Sequence, residues 1–268
     1  MNAYMDFLMY QRLSHFHYLD HLIDLIRSDT PLSSFFPVMT SHTYLITGAN
    51  RGLGKGFIQR LLLRPDTTII AATRNPEGAS TVSLLSLPKA AGSRIVLVKI
   101  DSHVDEDPVR VAVELQSQHG IFHIDTVIAC AGIYNHTGPA STGPLEELKE
   151  QIQVNAVAPF NLFRAVRPLL ERSLHPKFVA ISTTLASMSD MNQWPMQSAA
   201  YGSSKAMLNY LMIKVHHEND RLVAFVLNPG WVQTDMGNAG ARAAGLSQAP
   251  ISVEQSVNGM LSKVCYAT

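Results

Sequence analysis

Two side chains in the second half of the chain have the types and the spacing that proton transfer requires. Tyr201 and Lys205 lie four residues apart in segment 200–217, which the apolar pattern predicts to be a helix, so they share one face. A free tyrosine titrates at about pH 10, and a neighbouring ammonium group lowers that pKa. The pair could therefore exchange a proton with a substrate oxygen near neutral pH.

A glycine-rich turn follows the apolar run 43–47 and precedes a predicted helix over 54–63. Glycine permits positive φ and lets a ligand approach the backbone closely. A helix N-terminus presents free N–H groups and the positive end of its dipole to an anion. The turn therefore predicts a site for the phosphates of a cofactor, with candidate residues Gly48, Arg51, Gly52, Leu53 and Gly54.

The elements that must position these residues alternate between short apolar runs and helical patterns. The predicted strands are 43–47, 68–72, 94–100, 125–129, 177–181 and 223–227, and the predicted helices are 54–63, 105–119, 144–157, 159–173, 200–217 and 252–263. Strands that are rich in Val and Ile without clean alternation are typical of a parallel sheet covered on both faces. We therefore predict an α/β fold, a Rossmann-like doubly wound parallel sheet, in a single domain over residues 39–268.

Composition narrows the class of protein. The 268 residues carry 21 Lys+Arg and 21 Asp+Glu, so no broad basic surface for nucleic acid is expected. No apolar run approaches the roughly 18 residues of a membrane span. Two cysteines, Cys130 and Cys265, cannot form a disulfide framework, which favours a reducing, cytoplasmic location.

Residues 1–38 differ in character from the rest and are predicted to be an N-terminal extension that is disordered or holds a short helix. Apolar residues between Leu19 and Ile26 recur at helical spacing. The segment lacks a charged start followed by a long apolar stretch, so a secretory signal is not expected. Its histidines have no metal-ligand spacing, and no metal site is predicted.

Several ordered motifs together resemble the short-chain dehydrogenase/reductase family over roughly residues 43–262. The motifs after the glycine turn are Cys130-Ala-Gly132 where the family has Asn-Ala-Gly, then Asn155, then Tyr201-x-x-x-Lys205, then Pro229-Gly230. Stretches such as Val232–Gly237 also resemble fungal ketoreductases of aromatic polyketide pathways, the norsolorinic acid ketoreductase type. The resemblance implies an NADP-dependent oxidoreductase whose substrate is a small-molecule ketone or alcohol, an aromatic polyketide or similar secondary metabolite.

The resemblance also implies catalytic roles. Tyr201 would donate a proton to the carbonyl oxygen as hydride arrives, while Lys205 would bind the nicotinamide ribose. Asn155 would hold a water that links Lys205 to solvent. In the family a serine at the end of strand five polarises the carbonyl. Here Thr183 is preferred by alignment on the strand end, Ser182 comes second, and Ser187 fits the separation from Tyr201.

NADP(H) is the expected cofactor. After the second strand, Arg74 stands where an NAD enzyme has an acid, and its guanidinium can form a fork with a 2′-phosphate. Arg51 offers a second cation. By resemblance, Asp101 contacts adenine, although it could instead be a helix N-cap, and Arg164 approaches either the cofactor or the surface. The remaining candidate cofactor-binding residues are Cys130, Gly132, Asn155, Tyr201, Lys205, Val232 and Thr234.

The sequence departs from the family in two places. Cys130 is a weak donor in place of asparagine, so some cofactor affinity is expected to be lost. Family members continue into a seventh strand, which is missing here, so strand six is expected to be an exposed edge. An alternative is therefore a truncated, degenerate member that binds nucleotide or a partner without turnover. The family also implies a homodimer or homotetramer, assembled through segments 144–157 and 159–173.

Overall fold

The computed structural model describes residues 41–135, 138–193 and 196–267. The predicted extension over residues 1–38 lies outside this part of the chain. Within it, no helix has the length and hydropathy needed to cross a membrane. The same residues contain no group of three or more His, Cys, Asp or Glu side chains that could bind a metal ion.

One sheet of six parallel strands forms the centre of the described structure. The strands are β1 His42–Thr47, β2 Thr67–Thr73, β3 Arg94–Lys99, β4 Thr126–Ala129, β5 Lys177–Ile181 and β6 Val223–Leu227, in the order β3-β2-β1-β4-β5-β6. The chain winds outward from β1 to β3, returns to β4, and then winds outward to β6. This order confirms the doubly wound sheet, and it places a crevice between the carboxyl ends of β1 and β4.

Helices cover both faces of the sheet. They are α1 Gly52–Leu61, α2 Ala79–Val82, α3 Asp107–Ser117, α4 Leu145–Ile152, α5 Ala158–Leu170, α6 Ala199–His217, α7 Asp235–Ala243 and α8 Val253–Tyr266. The sequence analysis missed α2, which has only four residues, and α7, whose sequence is rich in the poor helix former glycine. Thr234 begins α7, because its hydroxyl accepts the N–H of Gly237 at 3.1 Å.

The two helices predicted over 144–157 and 159–173 are one continuous helical run. A π-helical segment, Gln153–Val157, joins α4 to α5. Pro159 stands in the first turn of α5, where the missing N–H is tolerated, so it does not separate the two helices. Single π turns are frequent at functional sites, and this one contains the buried Asn155.

Alternating strand residues build a separate core on each face of the sheet. Leu45 and Val127 point to the face covered by α3, α5 and α6, whereas Ile46 and Ile128 point to the face covered by α1 and α8. All four side chains are fully buried. Because both faces are apolar, polar functional groups are confined to the carboxyl edge of the sheet, where the loops begin.

Candidate active site

The turn after β1 is fixed against the loop after β4. The hydroxyl of Thr47 accepts the backbone N–H groups of Cys130 and Ala131 at 3.1 and 3.0 Å. Gly48 has φ +62°, and a Cβ there would lie 3.0 Å from Cα of Ala131. Only glycine combines this conformation with so close an approach. The switch point of the sheet is therefore a tight junction of two backbones.

The N-terminus of α1 opens onto this junction. Among the described residues, its N-cap Arg51 makes no side-chain capping bond, and its first turn holds no acid. A Cβ at Gly54 would overlap the carbonyl of Gly48, so the helix start packs directly on the turn. Leu53 packs against the core, and Gly52 faces Thr234, whose methyl group lies 3.3 Å from the Cβ position of this glycine. The turn has the uncapped N–H groups and dipole that suit a phosphate.

A narrow crevice lies at the carboxyl ends of β1, β3 and β4. Its walls include Thr47, Ile100, Asp101, Ala131 and Val154. The Asp101 carboxylate accepts the backbone N–H of His103 at 3.0 Å. It does not cap α3, whose N-cap is Glu106, so the alternative role as helix cap is wrong. The crevice lies at the carboxyl ends of the strands beside the switch point, where doubly wound folds bind dinucleotides.

The predicted cations lie on the rim of this region. Arg74 is exposed after β2. The pKa of the Asp101 carboxyl is lowered, and the positive charge of Arg74 contributes to this. Burial opposes that lowering, and the hydrogen bonds from His103 contribute more to it than Arg74 does. Arg51 forms an ion pair of 2.8 Å with Asp235, the first residue of α7. Both side chains are largely exposed, so the pair is weak and Arg51 can exchange partners at little cost.

The other predicted cofactor-binding residues differ in their surroundings. Val232 is buried, and Thr234 lies against the glycine turn as the N-cap of α7. Arg164 is exposed on α5. Nine residues of helical rise, about 13 Å, separate it from Asn155. The structure therefore brings Thr234 to the glycine turn and buries Val232 beside Ile251. It leaves Arg164 on the surface, one of the two positions expected for it.

Lys205, Gly132 and Asn155 meet beside the junction. The ammonium of Lys205 is buried and donates to the carbonyl of Ile181 at 2.7 Å. A Cβ at Gly132 would lie 3.4 Å from that ammonium and 3.1 Å from the Oδ1 atom of Asn155. Tyr201 begins the same helix one turn earlier. Helix α6 thus carries both residues of the predicted pair into the carboxyl edge of the sheet.

The side chain of Asn155 binds the protein through both of its amide atoms. Its Oδ1 accepts the N–H of Ile133, and its Nδ2 donates to the carbonyl of Ile133, both at 2.9 Å. Nδ2 also donates to the hydroxyl of Ser204 at 3.0 Å, and that hydroxyl donates to the carbonyl of Tyr201 at 2.7 Å. Asn155 therefore ties the loop after β4 to the start of α6. The expected role in holding a water stays a prediction.

The protonation states differ from the expectation for the isolated pair. Burial, with a smaller effect of Tyr134, raises the pKa of Tyr201 to about 12. Burial lowers the pKa of Lys205 to about 8, although the sulfur of Cys130 opposes this. The prediction that Lys205 lowers the pKa of Tyr201 is therefore wrong for the protein without cofactor. The ammonium of Lys205 is directed at the carbonyl of Ile181 instead.

Cys130 is a neutral thiol in this site. Burial raises its pKa to about 12, against the opposing effects of Lys205 and of the N–H of Gly54. A thiol in this state is a poor nucleophile. The backbone N–H of Cys130 makes its bond to Thr47 without any contribution from the side chain, so the junction forms without the family's asparagine.

The three candidate hydroxyls after β5 are distinguished by their hydrogen bonds. Ser182 is buried and donates to Oδ1 of Asn209 at 2.6 Å, and Ser187 donates to the carboxylate of Asp190 at 2.9 Å. The hydroxyl of Thr183 accepts the N–H of Leu185 at 3.3 Å, and within the described part of the chain no acceptor takes its own proton. Thr183 therefore has the donor that polarising a carbonyl requires.

Thr183 also lies in a turn that packs on the start of α6. A Cβ at Gly202 would lie 2.8 Å from the carbonyl oxygen of Leu185, so the turn contacts the helix directly after Tyr201. The loop that follows exposes Met188, Met191 and Met196, whereas Trp194 lies outside the described residues. This loop provides apolar, adaptable surface beside the candidate site.

Sequence reasoning missed one residue of the site, Tyr134. Its ring stacks on that of Tyr201 with 4.4 Å between ring centroids and an angle of 21° between planes. Its hydroxyl is buried and has no hydrogen-bond partner among the described residues. Its place two residues after Cys130-Ala-Gly132 is a sequence signal that could have drawn attention to it.

Comparison with known proteins agrees with this geometry. A family model described as short chain dehydrogenase matches residues 42–244, most of the chain. The chain belongs to the short-chain dehydrogenase family. The match extends from β1 through α7, so it contains the glycine turn and the Tyr201–Lys205 pair. Members of this family are oxidoreductases, and the resemblance found in the sequence is confirmed.

Curated relatives narrow the place within the short-chain dehydrogenase family. A norsolorinic acid ketoreductase of Dothistroma septosporum is 45% identical, over 84% of this chain and 85% of its own length. A norsolorinic acid ketoreductase of Aspergillus parasiticus is 42% identical, over 91% of this chain and 90% of its own. The NADPH-bound carbonyl reductase from chicken fatty liver superimposes with a TM-score of 0.71 at 27% identity, covering 82% of this chain and 85% of that one.

Proposed function

We propose that this short-chain dehydrogenase is an NADPH-dependent ketoreductase with Tyr201 as its proton donor. The observation that supports this most is that a buried Lys205, the Tyr201 phenol and the Thr183 hydroxyl, whose proton has no acceptor among the described residues, lie at one edge of the sheet. These groups lie beside a glycine turn suited to phosphate. That combination suits the reduction of a carbonyl.

The residues present fit a dinucleotide. The uncapped start of α1 would hold the pyrophosphate, Asp101 would face the adenosine half, and Arg74 with Arg51 would bind a 2′-phosphate. Lys205 would bind the nicotinamide ribose. When bound, the reduced nicotinamide supplies the hydride. The chain's own residues provide the position and the proton.

Tyr201 suits the reducing direction. With a pKa of about 12 its phenol is protonated at neutral pH, so it can donate to a carbonyl oxygen that gains charge. Thr183 would donate a second hydrogen bond to the same oxygen and stabilise that charge. After Tyr201 has given its proton to the substrate, the ammonium of Lys205 would return a proton to the phenolate. That ammonium retains its charge below pH 8.

The substrate that we propose is the ketone of an aromatic polyketide or a similar secondary metabolite. The names of the two fungal relatives support this class. The aromatic stack of Tyr134 on Tyr201 and the exposed methionines of the neighbouring loop supply the apolar, aromatic surface that such a substrate would contact.

We also propose a homodimer or homotetramer in the cytoplasm. Helix α6 exposes Tyr210 and Ile213, and α4 exposes Leu145. These large apolar side chains support assembly through the predicted segment 144–157. They also add α6, which the sequence analysis did not name as an interface. Equilibrium sedimentation of the purified protein tests this, because a monomer at micromolar concentration contradicts it.

The proposed activity is tested by titrating purified protein with NADPH and NADH and then following oxidation of the bound cofactor with a panel of aryl ketones. Tight NADPH binding, weaker NADH binding and ketone-dependent oxidation are expected. Binding of NADPH without oxidation by any ketone would favour the alternative of a degenerate, nucleotide-binding member. Absence of binding to either cofactor would contradict both.

A further inference from the structure

Tyr134 stands at the end of a rigid stretch of loop. Thr47 holds the two residues that begin the loop after β4, Cys130 and Ala131, by their N–H groups. Asn155 holds Ile133 by both its N–H and its carbonyl. Four hydrogen bonds from these two side chains therefore fix the loop backbone up to Ile133. The backbone position of Tyr134, the next residue, follows from them.

The side chain of Tyr134 has two features, an aromatic ring and a hydroxyl, and stacking explains only the first. Its ring covers one face of Tyr201, which a phenylalanine would do equally well. Its hydroxyl is buried and unpartnered among the described residues. Burying a hydroxyl without a hydrogen bond is unfavourable, so a hydroxyl in this state points to a partner that binds there. Ser204 and Ser182, also beside this site, have their hydroxyl groups bonded within the protein.

We propose that Tyr134 is a substrate-binding residue that selects ketones with a second oxygen next to the reacting carbonyl. This rests on the proposed function. Tyr201 and Thr183 bind the reacting oxygen, and the hydroxyl of Tyr134, on the ring stacked against Tyr201, donates to the neighbouring oxygen of an aryl ketone such as a phenol in the ortho position. The aromatic rings of enzyme and substrate pack together, so an aryl ketone satisfies both features of this side chain.

The test compares two ketones that differ by one hydroxyl, acetophenone and ortho-hydroxyacetophenone, with wild-type enzyme and Tyr134→Phe. We expect the variant to lose about tenfold in kcat/KM for the hydroxy ketone, because one hydrogen bond to a buried group is lost, and to keep its value for acetophenone. Tyr266→Phe, which removes an exposed hydroxyl at the end of α8, is the matched control and should change neither value. Unchanged NADPH affinity and melting temperature show that the variant is folded.

Equal losses on both ketones, or no loss on either, would overturn the role of Tyr134 while leaving the ketoreductase activity in place. If wild-type enzyme reduces neither ketone, the proposed function fails for this class, and equilibrium binding of the two ketones decides the role of Tyr134. Tighter binding of the hydroxy ketone by wild type, lost in Tyr134→Phe, supports it. Equal binding of both ketones by both proteins would count against it.

Discussion

The side-chain amide of Asn155 holds the backbone of Ile133 from both sides, with its Oδ1 and Nδ2 atoms each 2.9 Å from their partners. This one side chain orders the loop that carries Gly132 and Tyr134. It sits in the π-helical segment between α4 and α5, which directs it at the sheet edge rather than along a regular helix face.

Replacing Asn155 with Ala should cost stability and activity together. Two bonds to Ile133 and one to Ser204 are lost, and the buried backbone groups are left without partners, which costs about 1–3 kcal/mol of unfolding free energy. Denaturant unfolding and kcat/KM would both be measured. Asn258→Ala removes an exposed asparagine bond between α8 and α1 and is the control. A variant as stable and active as wild type would contradict the assigned clamp.

The three hydroxyls after β5 should separate in a mutant series. Thr183→Val is expected to lower kcat by roughly 10²-fold, because one preorganised donor to the reacting oxygen is lost. Thr183→Ser should retain most activity, since it keeps the hydroxyl. Ser182→Ala and Ser187→Ala should leave kcat within a few fold, because those protons are already donated to Asn209 and Asp190. A larger loss in either serine variant than in Thr183→Val would reverse the assignment.

Arg74 should determine the choice between the two cofactors. Arg74→Glu is expected to weaken NADPH binding about 10- to 100-fold, since a charge-assisted bond to the 2′-phosphate becomes a repulsion, with little effect on NADH. Fluorescence titration of both cofactors measures this. Arg167→Ala, which removes an exposed cation paired with Glu171, is the control. Parallel weakening of NADPH and NADH would mean that Arg74 does not contact the 2′-phosphate.

Lys205 should give the protein a distinctive pH dependence. Its folded pKa of about 8 lies below the ordinary 10.5, so the unfolded chain binds more protons above pH 8. Stability from this group alone therefore rises with pH, by about 1 kcal/mol between pH 8 and 9. Buried Cys130, whose folded pKa is raised, opposes part of that rise in the same interval, and Tyr201 opposes it at higher pH. Activity should fall over the same interval as the ammonium is lost.

Lys205→Met is the comparison for that pH dependence. The variant should be nearly inactive, and its unfolding free energy should lack the rise between pH 8 and 9, measured by denaturant unfolding at each pH. An identical pH profile in wild type and variant would show that Lys205 is charged throughout this interval in the folded protein.

The sequence predicted the sheet well because buried parallel strands are continuous apolar runs, and all six were placed within two residues. It did not reveal α7, because a helix rich in glycine depends on its N-cap Thr234 and on packing rather than on propensity. The single helical run through Gln153–Val157 was also missed, since a proline in the first turn looks like a boundary in sequence.

The sequence also predicted one part of the candidate site and not another. Tyr201, Lys205 and Asn155 were identified from ordered motifs, and the structure brings them together. The choice among Thr183, Ser182 and Ser187 depended on which protons are already donated, which only three-dimensional contacts show. The stack of Tyr134 on Tyr201 joins residues 67 positions apart in the chain, and no local pattern encodes it.

The most direct test of the central claim follows the hydride and the proton donor in one experiment. Purified enzyme is incubated with an aryl ketone and NADPH deuterated at the transferring position, and the alcohol is analysed by mass spectrometry. The account predicts one deuterium on the carbinol carbon, with a rate lower by roughly 10²- to 10⁴-fold in Tyr201→Phe and unchanged in Tyr266→Phe. Deuterated alcohol formed equally fast by Tyr201→Phe, or no alcohol from wild-type enzyme that binds NADPH, would contradict it.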